Sequence, residues 1–217
     1  GFYGSKLPTR NNINKSSKLI RHRGPDAKGV KIIKNDKLVL IHRRLSIIDI
    51  DQRSNQPMEY ENTILIFNGE IYNYIEIRNE LISIGHAFFT NSDSEVLLKA
   101  YIQWGGVCLE KFNGMWAAAI YDSSNGKLIL TRDRFGIKPL YIYQDKIKTV
   151  IGSEAGSIAK LLKLKIDHIS LKEFRTKAKE KKVNSDVIVF NNLVLNKMEY
   201  DSLWEVPASL SWHARYF

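Results

Sequence analysis

Asn68 and Gly69 are the residues of this sequence best suited to stabilising a developing negative charge. They follow the apolar run Ile64–Phe67, which predicts a buried strand. An Asn-Gly pair is typical of a turn because both residues tolerate positive φ. We therefore expect the strand to break here and to leave a side-chain amide and a backbone N–H exposed at its end. Two such donors can converge on an oxyanion, and the alternative is an ordinary hairpin turn.

Arg44 is a candidate for binding a carboxylate. It follows the short β-like run Leu38–His42, so its guanidinium is expected to be anchored rather than free. A guanidinium held in this way suits bidentate recognition of a carboxylate. The alternative is a structural salt bridge, for which Asp49 is the nearest acidic residue.

Asp93 is a candidate for binding an ammonium group. It lies in Ser92–Glu95, a capping box of the Ser-x-x-Glu form that predicts the start of a helix. An acid in the first turn is also favoured by the helix dipole, which is a purely structural role. Both roles stay open at this point.

The elements that must position these residues are mostly short strands. Apolar runs between turn signals predict hairpins, and helical spacing predicts two helices, one starting at Asn73 with Glu76 as a capping-box-like partner and ending at Gly85. The second helix starts at Ser92 and ends at Gly105. The predicted strands are Phe2-Tyr3, Val30–Ile33, Leu38–His42, Ile64–Phe67, Ala87–Thr90, Met115–Tyr121, Leu128–Thr131, Lys148–Gly152 and Asp186–Leu195. Loops are predicted for the rest of Gly1–Lys18 and for Gln56–Met58, and one or two exposed basic helices for residues 160–182. This pattern favours a mostly antiparallel sheet core flanked by helices.

Composition excludes several classes of protein. The net charge of +10 is spread over both ends of the chain without interleaved aromatic residues, which favours solvated lysine faces over a nucleic-acid site. The longest apolar run, Met115–Tyr121, is far too short to span a membrane. The single cysteine, Cys108, has apolar neighbours and is expected in the core. One cysteine allows no intrachain disulfide and fits a cytoplasmic location.

Several common catalytic motifs are absent from the sequence. It contains no Gly-x-x-x-x-Gly-Lys-Ser/Thr loop, no Gly-x-Gly-x-x-Gly and no Gly-x-Ser-x-Gly. Its five histidines show no metal-ligand spacing with Cys, Asp or Glu, so we expect no metal site.

Six motifs, in order and in register, resemble one known family. They are Arg-His-Arg-Gly-Pro-Asp (21–26), His-Arg-Arg-Leu-Ser-Ile-Ile-Asp (42–49), Phe-Asn-Gly-Glu-Ile-Tyr-Asn-Tyr (67–74), Asn-Ser-Asp-Ser-Glu (91–95), Phe-Asn-Gly-Met-Trp-Ala (112–117) and Arg-Asp-Arg-Phe-Gly-Ile-Lys-Pro-Leu-Tyr (132–141). The sequence resembles the glutaminase domain of glutamine-hydrolysing asparagine synthetases, which are class II glutamine amidotransferases. The resemblance covers residues 1–155. It implies an α+β fold, the four-layer α/β/β/α sandwich of N-terminal-nucleophile hydrolases, with mostly antiparallel sheets.

The resemblance also implies a chemistry and a set of site residues. Such domains hydrolyse glutamine to glutamate and ammonia with an N-terminal cysteine, whose α-amino group acts as the base. By motif match, Asn68 and Gly69 form the oxyanion hole. The implied glutamine-binding residues are Arg44 for the α-carboxylate, Glu70 and Asp93 for the α-ammonium, and Leu45 and Ile47 beside them.

The sequence departs from the family at both ends. The family opens with Cys-Gly-Ile-x-Gly-Phe, and Gly1-Phe2 corresponds to its second Gly and Phe. As written, the chain lacks the nucleophile, and we expect it to be an inactive fragment. No Ser-Gly-Gly-x-Asp-Ser loop is present, so ATP and Mg²⁺ are expected in a synthetase domain outside this chain, and residues 156–217 are expected to form a connector towards it.

The expected partners are glutamine and that synthetase domain, and a homodimer is left open. A basic nucleic-acid-binding protein would show steeply salt-dependent binding, which we expect to be absent. Two other functions are kept as alternatives. One is a related amidotransferase of sugar or envelope biosynthesis. The other is a non-catalytic module that binds glutamine or serves a structural role. The synthetase half separates the first alternative from asparagine synthesis, and the natural N-terminal residue separates the second.

Overall fold

The computed structural model describes residues 1–164, 202–205 and 215–216. The strands within these residues are β1 Phe2–Gly4, β2 Ala27–Ile33, β3 Leu38–Arg44, β4 Met58–Tyr60, β5 Thr63–Ile71, β6 Gly114–Asp122, β7 Lys127–Arg132, β8 Tyr141–Gln144, β9 Lys148–Gly152, β10 Ser202–Glu205 and β11 Arg215–Tyr216. The α-helices are α1 Arg10–Leu19, α2 Tyr74–Ser83, α3 Asp93–Trp104, α4 Cys108–Lys111 and α5 Ala155–Leu162. Among the described residues, no helix is both long and apolar enough to span a bilayer.

The strands form two antiparallel sheets. The first sheet has the order β10-β8-β9-β1-β3-β2, and the second has the order β11-β7-β6-β5-β4. The hairpins β2–β3 and β6–β7 join strands that are close in sequence, as predicted. In contrast, β1 lies in the middle of its sheet between β9 and β3, so the first residues of the chain are held by strands from two distant parts of the sequence.

Side chains alternate along each strand and therefore divide between two cores. On β6, Trp116 and Ala118 face one core while Ala117 and Ala119 face the other. The core shared by the two sheets includes Leu40 from the first sheet. Each sheet thus contributes one face to a common centre and one face to an outer layer.

Helices cover both outer faces. Leu81 of α2 and Leu97 of α3 pack on the second sheet, and Ile13 of α1 and Ile158 of α5 pack on the first. The order of layers is therefore helix, sheet, sheet, helix, which confirms the predicted four-layer sandwich. Cys108 is buried, as predicted, in the core between the second sheet and helices α2 and α3. Burial raises the pKa of its thiol to about 12.

The predicted strand break at Asn68-Gly69 is wrong. Strand β5 continues through both residues, which pair with Ala117 and Trp116 of β6. Gly69 is needed for a close approach of strands rather than for a turn, because a Cβ atom there would lie 2.1 Å from the carbonyl oxygen of Met115. The donor pair is consequently part of a rigid strand.

Three other local predictions also fail. The segment expected to be a loop before Lys18 contains helix α1, whose Thr9 side chain caps Asn12 N–H. Residues 87–90 are not a strand. Met58, predicted in a loop, begins strand β4.

Asn73 precedes α2 but does not cap it with its side chain. Its amide instead donates to the carbonyl of Lys111 and accepts from Asn113 N–H, so a tertiary contact replaces the predicted capping box with Glu76. At the next helix, Ser92 accepts from Glu95 N–H as predicted, while the Glu95 carboxylate bonds elsewhere.

The predicted domain boundary at residue 155 coincides with the start of α5, and it stays a prediction. The predicted strand Asp186–Leu195 and nearly all of the basic segment 160–182 lie outside the described residues.

Candidate active site

One cavity of about 280 Å³ is lined by every residue of the predicted site. These residues are Arg44, Leu45, Ile47, Asn68, Gly69, Glu70 and Asp93. They come from β3 and the loop after it, from β5, and from the first turn of α3. The fold thus brings together residues up to 49 positions apart in the sequence, from Arg44 to Asp93.

The floor of the cavity is an uncovered edge of β5. Strand β4 pairs only with residues 63–65 of β5, although β5 continues to Ile71. In an antiparallel strand, alternate residues direct N–H and C=O to the same edge. Phe67, Gly69 and Ile71 therefore present their backbone groups where β4 has already ended.

Side chains replace the missing strand on either side of Gly69. Gln56 Oε1 accepts the N–H of Phe67 at 2.6 Å, and Asp93 Oδ2 accepts the N–H of Ile71 at 3.1 Å. The N–H of Gly69 lies between these two bonds on the same edge, beside the cavity. A backbone donor in a rigid strand needs no reorganisation to meet an oxyanion.

Asn68 supplies the second donor. Its Nδ2 atom is buried and has no hydrogen-bond partner among the described residues, although the residue lines the cavity. Buried polar atoms normally find a partner, so an unpaired amide in a cavity wall is typical of a group that binds a ligand. Together with Gly69 N–H it forms the donor pair that the sequence predicted, though on a strand rather than in a turn.

His42 is a site residue that the sequence analysis missed. Its Nε2 lies 3.0 Å from the carbonyl oxygen of Phe67, which can only accept, so Nε2 carries the proton. Burial, with a further contribution from the charge of Arg44, lowers the pKa of His42 to about 4. The imidazole is therefore neutral at pH 7, and its buried Nδ1 has no partner among the described residues. Only its place before Arg43-Arg44 in a strand could have indicated it.

Asp93 and Glu70 give the cavity an acidic wall. Burial, together with the negative charge of Glu70, raises the pKa of Asp93 to about 6, and the hydrogen bonds from Ile71 and Ser94 N–H oppose this rise. Asp93 is buried, and among the described residues it has no cationic partner. Such a pair of carboxylates is well suited to an ammonium group.

Arg44 is buried and all four of its terminal N–H groups are engaged. Nη1 donates to the carbonyl of Asp51 and to Asn55 Oδ1, at 2.9 and 3.0 Å, and Nη2 donates to the carbonyls of Ile48 and Asp49. The alternative of a salt bridge with the Asp49 carboxylate is wrong, because the contact is with the carbonyl. In this structure the guanidinium organises the 45–55 loop, and its role towards a carboxylate stays a prediction.

The 45–55 loop is also tied to the segment that leads into α3. The carboxylate of Asp49 accepts from Ser54 Oγ at 2.9 Å and from Asn91 N–H at 2.7 Å. Leu45 and Ile47 are largely exposed at the cavity rim. Lys138, a second residue missed by the sequence analysis, also lines the cavity. Its N–H is fixed by buried Asp133 at 2.9 Å.

The chemistry of the site depends on hydrogen-bond donors and carboxylates. Within residues 1–164, 202–205 and 215–216, no group of three or more His, Cys, Asp or Glu side chains is placed to hold a metal ion. The arrangement combines an oxyanion-stabilising pair, an acidic wall and an apolar rim, which together match an amide substrate that carries an ammonium group.

Residues 1–202 match the family described as glutamine amidotransferase domain. The chain belongs to this family. Among curated proteins it is 38% identical over 164 residues to a putative glutamine-hydrolysing asparagine synthetase 2 of Methanocaldococcus jannaschii, covering 67% of this chain and 31% of that protein. It is 41% identical over 148 residues to the glutamine-hydrolysing asparagine synthetase 1 of Bacillus subtilis, covering 67% of this chain and 23% of that protein. The chain therefore spans less than a third of the length of these relatives.

Among solved structures, the chain resembles the glutamine phosphoribosylpyrophosphate amidotransferase of B. subtilis with a TM-score of 0.62. The two are 21% identical, and the match covers 74% of this chain and 42% of the other. This likeness supports the four-layer fold, which the two chains share.

Proposed function

We propose that this amidotransferase domain hydrolyses glutamine to glutamate and ammonia, and that the ammonia serves asparagine synthesis from aspartate. The observation that carries the proposal is the uncovered edge of β5. It places a free amide of Asn68 and the N–H of Gly69 on one wall of a cavity whose other wall is acidic. These are the groups that an amide carbonyl and an α-ammonium need.

The register of β1 supports the position of a nucleophile. Phe2 lies opposite Val39 in β3, so an upstream continuation in the same register brings the fourth residue before Gly1 opposite Arg44. Arg44 lines the main cavity, and a second cavity of about 130 Å³ beside Gly1 leaves room along this path. The family's N-terminal cysteine is proposed to occupy that fourth position in the natural protein.

The proposed reaction proceeds in two steps. The α-amino group of the cysteine takes the thiol proton, and the sulfur attacks the amide carbon of glutamine while Asn68 Nδ2 and Gly69 N–H stabilise the oxyanion. The proton returns to the leaving nitrogen, which departs as ammonia and leaves a thioester. Water then cleaves the thioester, releasing glutamate and restoring the thiol.

Glu70 and Asp93 are proposed to bind the α-ammonium group, with Leu45 and Ile47 beside the aliphatic part of the substrate. ATP and Mg²⁺ are proposed to act in the synthetase part of the natural protein, where aspartate is activated. We also propose a cytoplasmic location. A homodimer stays a prediction that light scattering can measure.

The test of the proposed hydrolysis is Asn68→Ala in the full-length natural protein, assayed as glutamate released from glutamine. Loss of one oxyanion donor should lower kcat roughly 100- to 1000-fold while KM changes little. Asn62→Ala is the matched control, since Asn62 is exposed in the turn before β5, and it should keep normal turnover. A near-normal kcat for Asn68→Ala would contradict the assignment.

The acceptor of the ammonia needs a separate assay. With glutamine, aspartate and Mg-ATP, the full-length protein should form asparagine. Glutamine hydrolysis without asparagine would instead favour a related amidotransferase, and glutamine binding without hydrolysis would favour a non-catalytic module.

A further inference from the structure

Lys99 is a buried cation one layer behind the acidic wall of the cavity. It lies on α3, and its side chain is 1% exposed. Its Nζ forms an ion pair at 3.0 Å with Glu95, whose side chain is 5% exposed, and donates to the carbonyl of Ala87. A buried ammonium is very costly unless its partners compensate it fully. A lysine in this position therefore indicates that the neighbouring groups compensate its positive charge.

Three aromatic rings complete these surroundings. The rings of Tyr60, Phe88 and Phe89 have their centroids 4.4, 4.8 and 5.0 Å from Lys99 Nζ. Aromatic faces attract cations, most strongly where water is excluded. The lysine thereby joins β4, the segment after α2 and α3 itself at a single point.

Glu95 transmits this anchoring to the chain before α3. Its carboxylate accepts the N–H of Phe89 at 3.0 Å, the N–H of Thr90 at 2.7 Å and the hydroxyl of Thr90 at 2.6 Å. Burial alone would raise the pKa of Glu95, but the bonds from Thr90, Phe89 and Lys99 outweigh it and hold the pKa below its usual value. Glu95 is therefore ionised and holds the segment 89–92 in one conformation.

The anchored segment leads directly into the cavity. Ser92 Oγ accepts the N–H of Glu95 at 3.3 Å, and the next residue is Asp93. Ser92 and Asp93 line the cavity, whereas Lys99 does not. Lys99 is thus placed to affect a ligand indirectly, through the position of this segment.

We propose that Lys99 is a positioning residue for recognition of the substrate α-ammonium group. It holds Glu95, Glu95 fixes residues 89–92, and the carboxylate of Asp93 is thereby kept at one place in the cavity wall. This inference rests on the proposed glutaminase function. It adds a residue that has no contact with the substrate and that determines specificity for an α-amino acid over a des-amino analogue.

The test uses Lys99→Met in the full-length natural protein, because methionine fills similar space without the charge. Steady-state hydrolysis gives KM and kcat for glutamine, and competitive inhibition gives Ki for glutaramate, which is glutamine without its α-amino group. KM should rise about tenfold or more, kcat should fall less than threefold, and Ki should stay within twofold. Only the ligand with an ammonium group senses a displaced Asp93.

Lys111→Met is the matched control. Lys111 also pairs with a glutamate, Glu80 at 2.7 Å, and also lies over an aromatic ring, that of Trp104 at 4.5 Å, but it is partly exposed and does not line the cavity. All three constants should match the wild type. A change as large as that of Lys99→Met would overturn the proposal, because it would show a general effect of removing a paired lysine.

Other outcomes separate the inference from the proposed function. A wild-type protein without glutamine hydrolysis defeats the proposed function. An active wild type with unchanged KM in Lys99→Met defeats only the inference, as does a parallel rise of KM and Ki. If Lys99→Met does not fold, Glu95→Gln/Lys99→Met removes both charges. The amide oxygen that replaces the Glu95 carboxylate cannot accept from all the donors of Phe89 and Thr90, so the double variant should show the same rise in KM. A wild-type KM would refute the positioning role.

Discussion

Replacing Asp93 by asparagine should stabilise the folded chain while it weakens glutamine binding. Burial and the charge of Glu70 raise the pKa of Asp93 to about 6 from its ordinary value of 3.8. The ionised carboxylate is therefore destabilising at neutral pH, and an amide removes that charge while its oxygen can still accept the N–H of Ile71. Asp93 would then be retained for function at a cost in stability.

The size of the effect follows from proton linkage. Two pKa units at about 1.4 kcal/mol each give a stabilisation of about 3 kcal/mol at pH 7. The pKa of Asp93 is higher in the folded chain than in the unfolded chain. At pH values between these two pKa values, the folded chain therefore holds a proton on Asp93 that the unfolded chain has lost. The gain of Asp93→Asn should therefore shrink to roughly half at pH 5 and become small at pH 4.

Urea unfolding of the 217-residue chain at these three pH values measures the effect, with the buried Trp116 as fluorescent reporter. Glu95→Gln is the matched control on the same helix turn. The pKa of the Glu95 carboxyl is lowered rather than raised in the folded chain. Its ionised form is therefore stabilising, and Glu95→Gln should be less stable than the wild type at pH 7. The reasoning is refuted if Asp93→Asn destabilises the chain at pH 7 or if its gain does not decline towards pH 4.

Two further predictions concern the backbone around the cavity. Gly69→Ala should destabilise the chain by about 2 kcal/mol or more in urea unfolding, because the added Cβ would meet backbone atoms of Met115 and Trp116. Gly156→Ala in α5 is the control. It has open space around it and should be neutral or slightly stabilising. Arg44→Lys should loosen the 45–55 loop, because three ammonium donors cannot reproduce four fixed guanidinium bonds. Limited trypsin digestion should then cleave faster after Arg53, and an unchanged rate would show that other contacts hold the loop.

The sequence predicts most of the sheet core because its signals there are local. The hairpin of β6 and β7 needs only alternating apolar residues around a turn, and both are visible in residues 114–132. Helix α1 was missed because its residues are mainly polar and only Ile13 and Ser17 are buried. Its polar and apolar residues are well segregated, but it has so few apolar residues that the segment resembles a polar loop.

The sequence predicts which residues form the candidate site but not the conformation that their backbone adopts. Asn68 and Gly69 read locally as a turn, and only the approach of β6 to Gly69 shows why a glycine is needed in a strand. The roles of Gln56 and His42 depend on Phe67, which lies 11 and 25 residues away in sequence. Hydrogen bonds of that kind leave no periodic signal in a single sequence.

The early end of β4 sets a limit on how this fold can change. If β4 were four residue pairs longer, its backbone would reach the position of Gly69 and form an ordinary ladder bond there. The sheet would gain a hydrogen bond and the cavity would lose its donor. Insertions that lengthen this short edge strand should therefore be tolerated by the fold, yet remove the proposed activity. The length of β4 would then indicate whether a relative with this fold can still present the Gly69 N–H to a ligand.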